Sequence, residues 1–115
     1  MVAKVGTRHH QREVSMVYYV AILDGSGDVW GVRIPDVPGC FGGGATPQDA
    51  IADVASALTE VIIHQAAWGR TLLQPRSIEA VVADPESEFD DQSGDALVMI
   101  PVALVETRHP GSFSD

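Results

Sequence analysis

Positive charge is scarce in this chain of 115 residues: seven Lys and Arg stand against sixteen Asp and Glu, a formal net charge of −9. Three of the seven, Lys4, Arg8 and Arg12, and one of the sixteen acids, Glu13, precede Met16. The rest therefore carries four bases against fifteen acids, a net of −11. A surface of that sign repels phosphate and attracts cationic proteins, which argues against direct nucleic-acid binding, although it also serves solubility. Cysteine is limited to Cys40, so no internal disulfide framework exists and a cytosolic setting is expected. A single cysteine after Pro-Gly is expected to be a small buried hydrophobe rather than a reactive thiol. No apolar run reaches the length of a membrane span. The stretch from Met16 to Leu23 holds two tyrosines, stops at Asp24 and has no small-residue cleavage site after it, which excludes a signal peptide.

Catalytic signatures are also lacking. No nucleophile elbow, phosphate loop or dinucleotide fingerprint occurs, and Gly42-Gly43-Gly44 lacks the Lys-Ser/Thr that phosphate binding requires. His9, His10, His64 and His109 have no metal-ligand spacing. A two-metal nuclease needs carboxylates converging from strands and helix, yet Val17 to Leu23 and Ala96 to Val105 contain none. Asp24, Asp28 and Asp36 fall in turns, where Asp is a common turn former. No enzyme, cofactor or metal is expected.

What the chain does contain is a dense run of conformational instructions. In Ile34-Pro35-Asp36-Val37-Pro38-Gly39-Cys40 each proline fixes its own φ and holds the preceding residue extended. Gly42, Gly43 and Gly44 follow as a predicted tight corner, and Thr46 then offers an N-cap with Pro47 at the first helical position and Asp49 three residues past the cap. A helix is predicted from Pro47 to about Trp68, with Ile51, Val54, Ala55, Leu58, Val61 and Ile62 on its apolar side and Gly69 as its stop. Asp49, Asp53, Ser56 and Glu60 form the opposite, polar stripe. Asp49, Asp53 and Glu60 are candidate partner-binding residues, although such a stripe is usually only a solvated face.

Two strands, Val17 to Leu23 and Val29 to Ile34, are predicted to flank the Asp24-Gly25-Ser26-Gly27-Asp28 turn, with a short third strand at 40–44. Residues 78–83 read as a short extended or helical piece and the acidic run Asp84 to Asp95 as a mobile loop. Ala96 to Glu106 is the last strand, and Pro101 within it marks an edge or a bulge. The fold class is α+β, a small antiparallel sheet with one main helix on one face in the order β-β-β-α-β. Residues 1–15 are expected to be a disordered arm, 16–106 the domain and 107–115 a disordered tail with no C-terminal DNA-binding unit. The last strand and the apolar first strand are expected to leave an edge that an identical copy completes about a two-fold axis, giving at least a homodimer.

Tyr18-Tyr19-Val20-Ala21-Ile22, the turn Pro35-Asp36-Val37-Pro38-Gly39-Cys40, the helix start Gly44-Ala45-Thr46-Pro47-Gln48-Asp49-Ala50 and Leu73-Gln74-Pro75-Arg76-Ser77 together resemble the HicB-like antitoxin domain of type II HicA/HicB toxin–antitoxin systems, over roughly residues 17–106. The resemblance implies a reduced ribonuclease-H-like fold. It also implies a non-catalytic bacterial protein that binds and neutralises a small basic HicA-like messenger-RNA-cleaving toxin. Pro35, Asp36, Pro38, Gly39, Cys40, Gly44 and Thr46 are then a structural motif rather than a catalytic one. The alternative is an orphan domain of the same type, acting as a self-assembling scaffold or small-ligand module without a toxin.

Overall fold

The structure, a computed structural model, describes residues 11–70 and 74–108. Strands β1 (Gln11–Ser26), β2 (Val29–Arg33) and β3 (Phe41–Gly44) lead into helix α1 (Pro47–Ala67), a short helix α2 (Ile78–Ala83), two 3-10 turns (Pro85–Ser87 and Asp91–Ser93) and strand β4 (Ala96–Arg108). The sheet order is β3-β2-β1-β4, and both β1/β2 and β2/β3 are antiparallel. This is the α+β arrangement expected from the sequence, with β4 at an edge, the position at which a sheet tolerates a proline such as Pro101, while β1, expected to share in the free edge, lies inside the sheet between β2 and β4. The described chain separates into two compact units. The main one is residues 18–101, and the second comprises the outer ends of β1 and β4 among the described residues.

Two boundaries differ from the sequence reading. Strand β1 starts at Gln11, so residues 11–15 are strand rather than arm, and β4 continues to Arg108, past the expected end at Glu106. Ladder hydrogen bonds between neighbouring strands use the backbone alone, so strand can extend through sequence with no apolar alternation. The remainder of the expected arm and tail lies outside the described residues.

Hairpin register follows from a two-residue loop at Gly27-Asp28, which pairs Ser26 with Val29 and Ile22 with Arg33. Gly27 has φ of +60, the positive value that the first central position of such a loop requires. Residues opposite one another share a face, so Leu23, Val32 and Gly42 form one row and Gly25, Trp30 and Gly44 the next. The other face carries Ile22, Arg33 and Phe41, then Asp24, Gly31 and Gly43.

Helix α1 packs over β3 and β2. Thr46 caps it, accepting the Asp49 amide at 3.0 Å, and Pro47 occupies the first turn. At the far end the Arg70 amide reaches the Gln65 carbonyl at 2.8 Å and the Gly69 amide the Ala66 carbonyl at 3.0 Å, while Gly69 takes φ of +72. These bonds make a Schellman stop, as the glycine predicted. The fully buried line of α1 is Ala50, Val54 and Leu58. The other expected core residues, Ile51, Ala55, Val61 and Ile62, are only partly covered.

The glycine run is not the bend that was expected. Gly42 and Gly44 belong to β3 and face the helix, where a Cβ on Gly42 would lie within 2.7 Å of Val54 Cα and would collide with the Val54 amide. A Cβ on Gly44 would meet Asp49 and Ala50 in the same way. The two glycines bring strand and helix backbones into direct contact, and the tightness belongs to that contact rather than to a chain reversal. Core side chains cover β1 on both faces: Tyr19, Val20, Ala21 and Ile22 are all buried, as expected for a central strand. Accordingly, Gly42→Ala should destabilise the fold by about 1–3 kcal/mol through overpacking. Gly31→Ala, whose Cβ meets the Asp24 carboxylate at 3.6 Å and the Gly42 carbonyl at 3.9 Å, both ordinary contacts, should change stability by less than about 0.5 kcal/mol. Urea denaturation followed by circular dichroism compares the two.

Candidate functional site

The prolines after β2 fold into two consecutive turns. The Val37 amide donates to the Ile34 carbonyl at 3.0 Å, with Pro35 and Asp36 between them, and the Cys40 amide donates to the Val37 carbonyl at 3.0 Å across Pro38 and Gly39. Gly39 has φ of +86, the value a type II turn with Pro at its second position demands of its third. The Ile34 amide closes the double turn on the Cys40 carbonyl at 3.4 Å. Ile34, Val37 and Cys40 are buried beneath it, while Pro38 and Gly39 are exposed.

Asp36 serves this turn from the side. Its carboxylate is 7% exposed and accepts the Arg76 amide at 2.7 Å and the Arg76 Nε at 2.6 Å. Arg76 also donates through Nη1 to Asp84 at 2.9 Å. The guanidinium thus bridges the turn to the segment that follows α2. Asp36 first, and then Asp84, raise the Arg76 pKa above its ordinary value by hydrogen bonding. The Asp84 carboxyl is held below the usual carboxylate range, chiefly by the Glu86 amide and next by Arg76.

The acidic run after α2, expected to be a mobile loop, is built from local caps. Ser77 caps α2 by accepting the Ala80 amide, Asp84 and Asp90 cap the two 3-10 turns, and the Asp95 carboxylate accepts the Asp90 amide. Four of its acids are therefore not merely solvating charges. Asp84, Asp90 and Asp95 accept backbone amides, and Glu88 adopts φ of +56, the left-handed region, which turns its carbonyl toward Arg33. Ser87 is buried, its hydroxyl donating to the Val81 carbonyl at 2.6 Å with the Asp84 carbonyl 2.8 Å away. Composition alone gave no signal of this, because the order comes from which amide each side chain faces.

Arg33 lies on the sheet face away from α1. It donates through Nη2 to the Ser87 carbonyl at 3.0 Å and the Glu88 carbonyl at 2.9 Å, and through Nη1 to Asp24 at 3.3 Å. Between the double turn and this segment lies a cleft of about 570 Å³, with Arg33, Asp36, Arg76, Asp84, Glu86 and Glu88 as its charged lining. Cys40 reaches it from below but is 2% exposed, and burial pushes its thiol pKa up, keeping it protonated and inert as the sequence suggested. Burial also raises the Tyr19 hydroxyl, with the Asp36 charge adding to the effect.

The structural motif expected from the sequence is drawn together in part. Pro35, Asp36, Pro38, Gly39 and Cys40 form the turn and line the cleft, whereas Gly44 ends β3 against the first turn of α1 and Thr46 caps that helix. The expected partner-binding acids Asp49, Asp53 and Glu60 are all exposed on α1 and away from the cleft lining. Asp53 has a structural bond, accepting the Gly43 amide at 2.9 Å and tying helix to strand. Neither Arg33 nor Arg76 was given a site role from sequence, although Arg76 stands in the Leu73-Gln74-Pro75-Arg76-Ser77 motif and Arg33 on the face of its strand opposite Trp30 and Val32. Among the described residues no group of three or more His, Cys, Asp or Glu is placed to hold a metal ion, and no helix is long and apolar enough to cross a membrane.

A three-stranded meander backed by one capped helix, a fourth strand at the edge and a double proline turn stapled by an arginine define a small α+β domain. The model of the HicB-like antitoxin of bacterial toxin–antitoxin systems matches residues 18–110, and the chain belongs to that family. No curated protein sequence matches it. Among solved structures, the N-terminal domain of the Burkholderia pseudomallei antitoxin HicB is similar at 24% identity and a TM-score of 0.61, over 76% of this chain and all of that one. The longer Burkholderia pseudomallei HicB structure is 25% identical at the same TM-score, over 75% of this chain, which spans 63% of its length. A HicA3–HicB3 toxin–antitoxin complex contains a chain 21% identical with a TM-score of 0.56, over 72% of this chain and 94% of that one. These likenesses show that the α+β fold, a four-stranded sheet with one main helix, is shared with HicB antitoxin structures.

Because the folded Asp84 carboxyl titrates below its unfolded counterpart, its contribution to stability is complete above the unfolded value and disappears as pH falls through the depressed folded one. Stability should therefore decline below about pH 4. Asp84→Asn should be less stable than the parent at pH 7 and show a shallower decline between pH 5 and 2, as measured by thermal melting.

Proposed function

We propose that this protein is a non-catalytic antitoxin that binds and neutralises a small basic HicA-like messenger-RNA-cleaving toxin. The observation that carries the reading is the family match over the whole main unit, joined to a body with net charge −11 beyond Met16. An acidic surface accelerates and orients capture of a cationic protein, and such capture weakens as salt rises. The protein acts by covering the toxin, since the double turn and its cleft supply no nucleophile and no general base oriented by a third group.

Self-association accompanies this role. Strand β4 lies at the sheet edge, and pairing with an identical copy about a two-fold axis gives a homodimer. Multi-angle light scattering at micromolar concentration should report twice the chain mass of 12.2 kDa, and the monomer mass at all concentrations tested would contradict it.

Capture from lysate of the native host, at low and high salt with mass spectrometry of the retained protein, tests the antitoxin reading. A HicA-like toxin that is released at high salt, and whose growth arrest is relieved when the two proteins are co-expressed, is the expected result. Retention of the protein alone, with growth arrest unrelieved, would identify it instead as an orphan scaffold or ligand-binding module.

A further inference from the structure

The cleft has a charge imbalance that its own residues leave uncorrected. Two arginines line it against four carboxylates, Asp36, Asp84, Glu86 and Glu88. Both arginines are already committed: Arg76 to Asp36 and Asp84, Arg33 to Asp24 and to two backbone carbonyls. Glu86 and Glu88 enter no ion pair among the described residues. Both are exposed at the rim.

Phe41 shares this lining. It is 63% exposed, although it sits in a sheet strand whose neighbours are largely glycine. It lines the cleft on one side and, on the other, a shallower depression of about 170 Å³ that also includes Asp24, Gly31 and Arg33. Arg33 is the cross-strand neighbour of Phe41 on this face, while Gly31 and Gly43 in the next row place no side chain there, so the ring is approached over bare backbone from that side. A solvent-exposed ring carries an electron-rich face that attracts cations, and Arg combines that attraction with forked donors for carboxylates. Lining one cleft, the Phe41 ring and the Glu86 and Glu88 carboxylates together offer a guanidinium both a stacking surface and acceptors.

We infer that this cleft is the docking site for an arginine-bearing basic segment of a protein partner, with Phe41 as the stacking platform and Glu86 and Glu88 as the ionic acceptors. The inference rests on the antitoxin reading for the partner's identity, the toxin, but its chemistry is that of the cleft. The acids Asp49 and Glu60 of α1 lie outside the site and serve as a charge-matched control.

The test is calorimetric titration with a catalytically silenced HicA-type toxin against the parent, Phe41→Ala, the double variant E86Q/E88Q and the control D49N/E60Q, each checked for an unchanged melting curve. A loss of roughly tenfold or more in affinity for the first two, with less than about threefold for the control, is expected. Equal weakening by both double variants, or by none, would overturn the docking site and leave the antitoxin function standing. If the parent does not bind toxin, the antitoxin reading fails, and the cleft is decided by nuclear magnetic resonance titration with acetyl-hexa-arginine amide. Saturable shifts confined to residues 39–42 and 86–88, abolished in E86Q/E88Q, would support it. Shifts that are absent or spread over α1 would overturn it.

Discussion

The clamp of Arg76 between Asp36 and Asp84 joins parts of the chain that are remote in sequence. Asp36 belongs to the turn after β2, Asp84 to the end of α2, and one guanidinium holds both. Asp36 is nearly buried, so an arginine removed from it would leave a charge with little water, a far larger loss than that of an exposed ion pair. The position of α2 and of the acidic segment follows from this clamp. The placement of Ser87 and Glu88 over Arg33 follows in turn, and with it the cleft between turn and segment.

The two faces of the outer sheet are consequently built on different principles. On the helix side, Gly42 and Gly44 eliminate side chains so that backbones touch, and the contact is dry and apolar around Val54 and Ala50. On the opposite side Arg33 supports the backbone of the acidic segment through hydrogen bonds, and carboxylates and one bare aromatic ring meet solvent. The first face fixes the fold. The second is free to vary in chemistry without disturbing the first, which is how a common scaffold comes to recognise a particular partner.

Much of this was legible in the residues. Pro35, Pro38 and Gly39 dictate a double turn through local φ restrictions, Thr46-Pro47 dictates a helix start, and Gly69 its end; each acts within a few residues of itself. What could not be read depends on contacts remote in sequence. Gly42 and Gly44 looked like a corner because a glycine needed for close approach and one needed for a bend are the same letter. The segment from Asp84 to Asp95 looked solvated because its acids cap amides that only the folded turn presents. Asp53 was placed on a partner-facing stripe, whereas its oxygen is bonded to the Gly43 amide of a strand ten residues earlier. The arginines of the site were visible as letters but not as a bridge, since Asp36 and Arg76 are forty residues apart.

Asp53 has a wider implication for how the sheet can grow. Strand β3 is only four residues long, and the carboxylate on its Gly43 amide occupies a donor that an incoming strand would need. The edge at β4 has no such plug among the described residues beyond the missing donor of Pro101. A sheet that accepts a strand at one end only can close into a pair but cannot propagate, so the Asp53 carboxylate at β3 would limit pairing through β4 to a closed dimer.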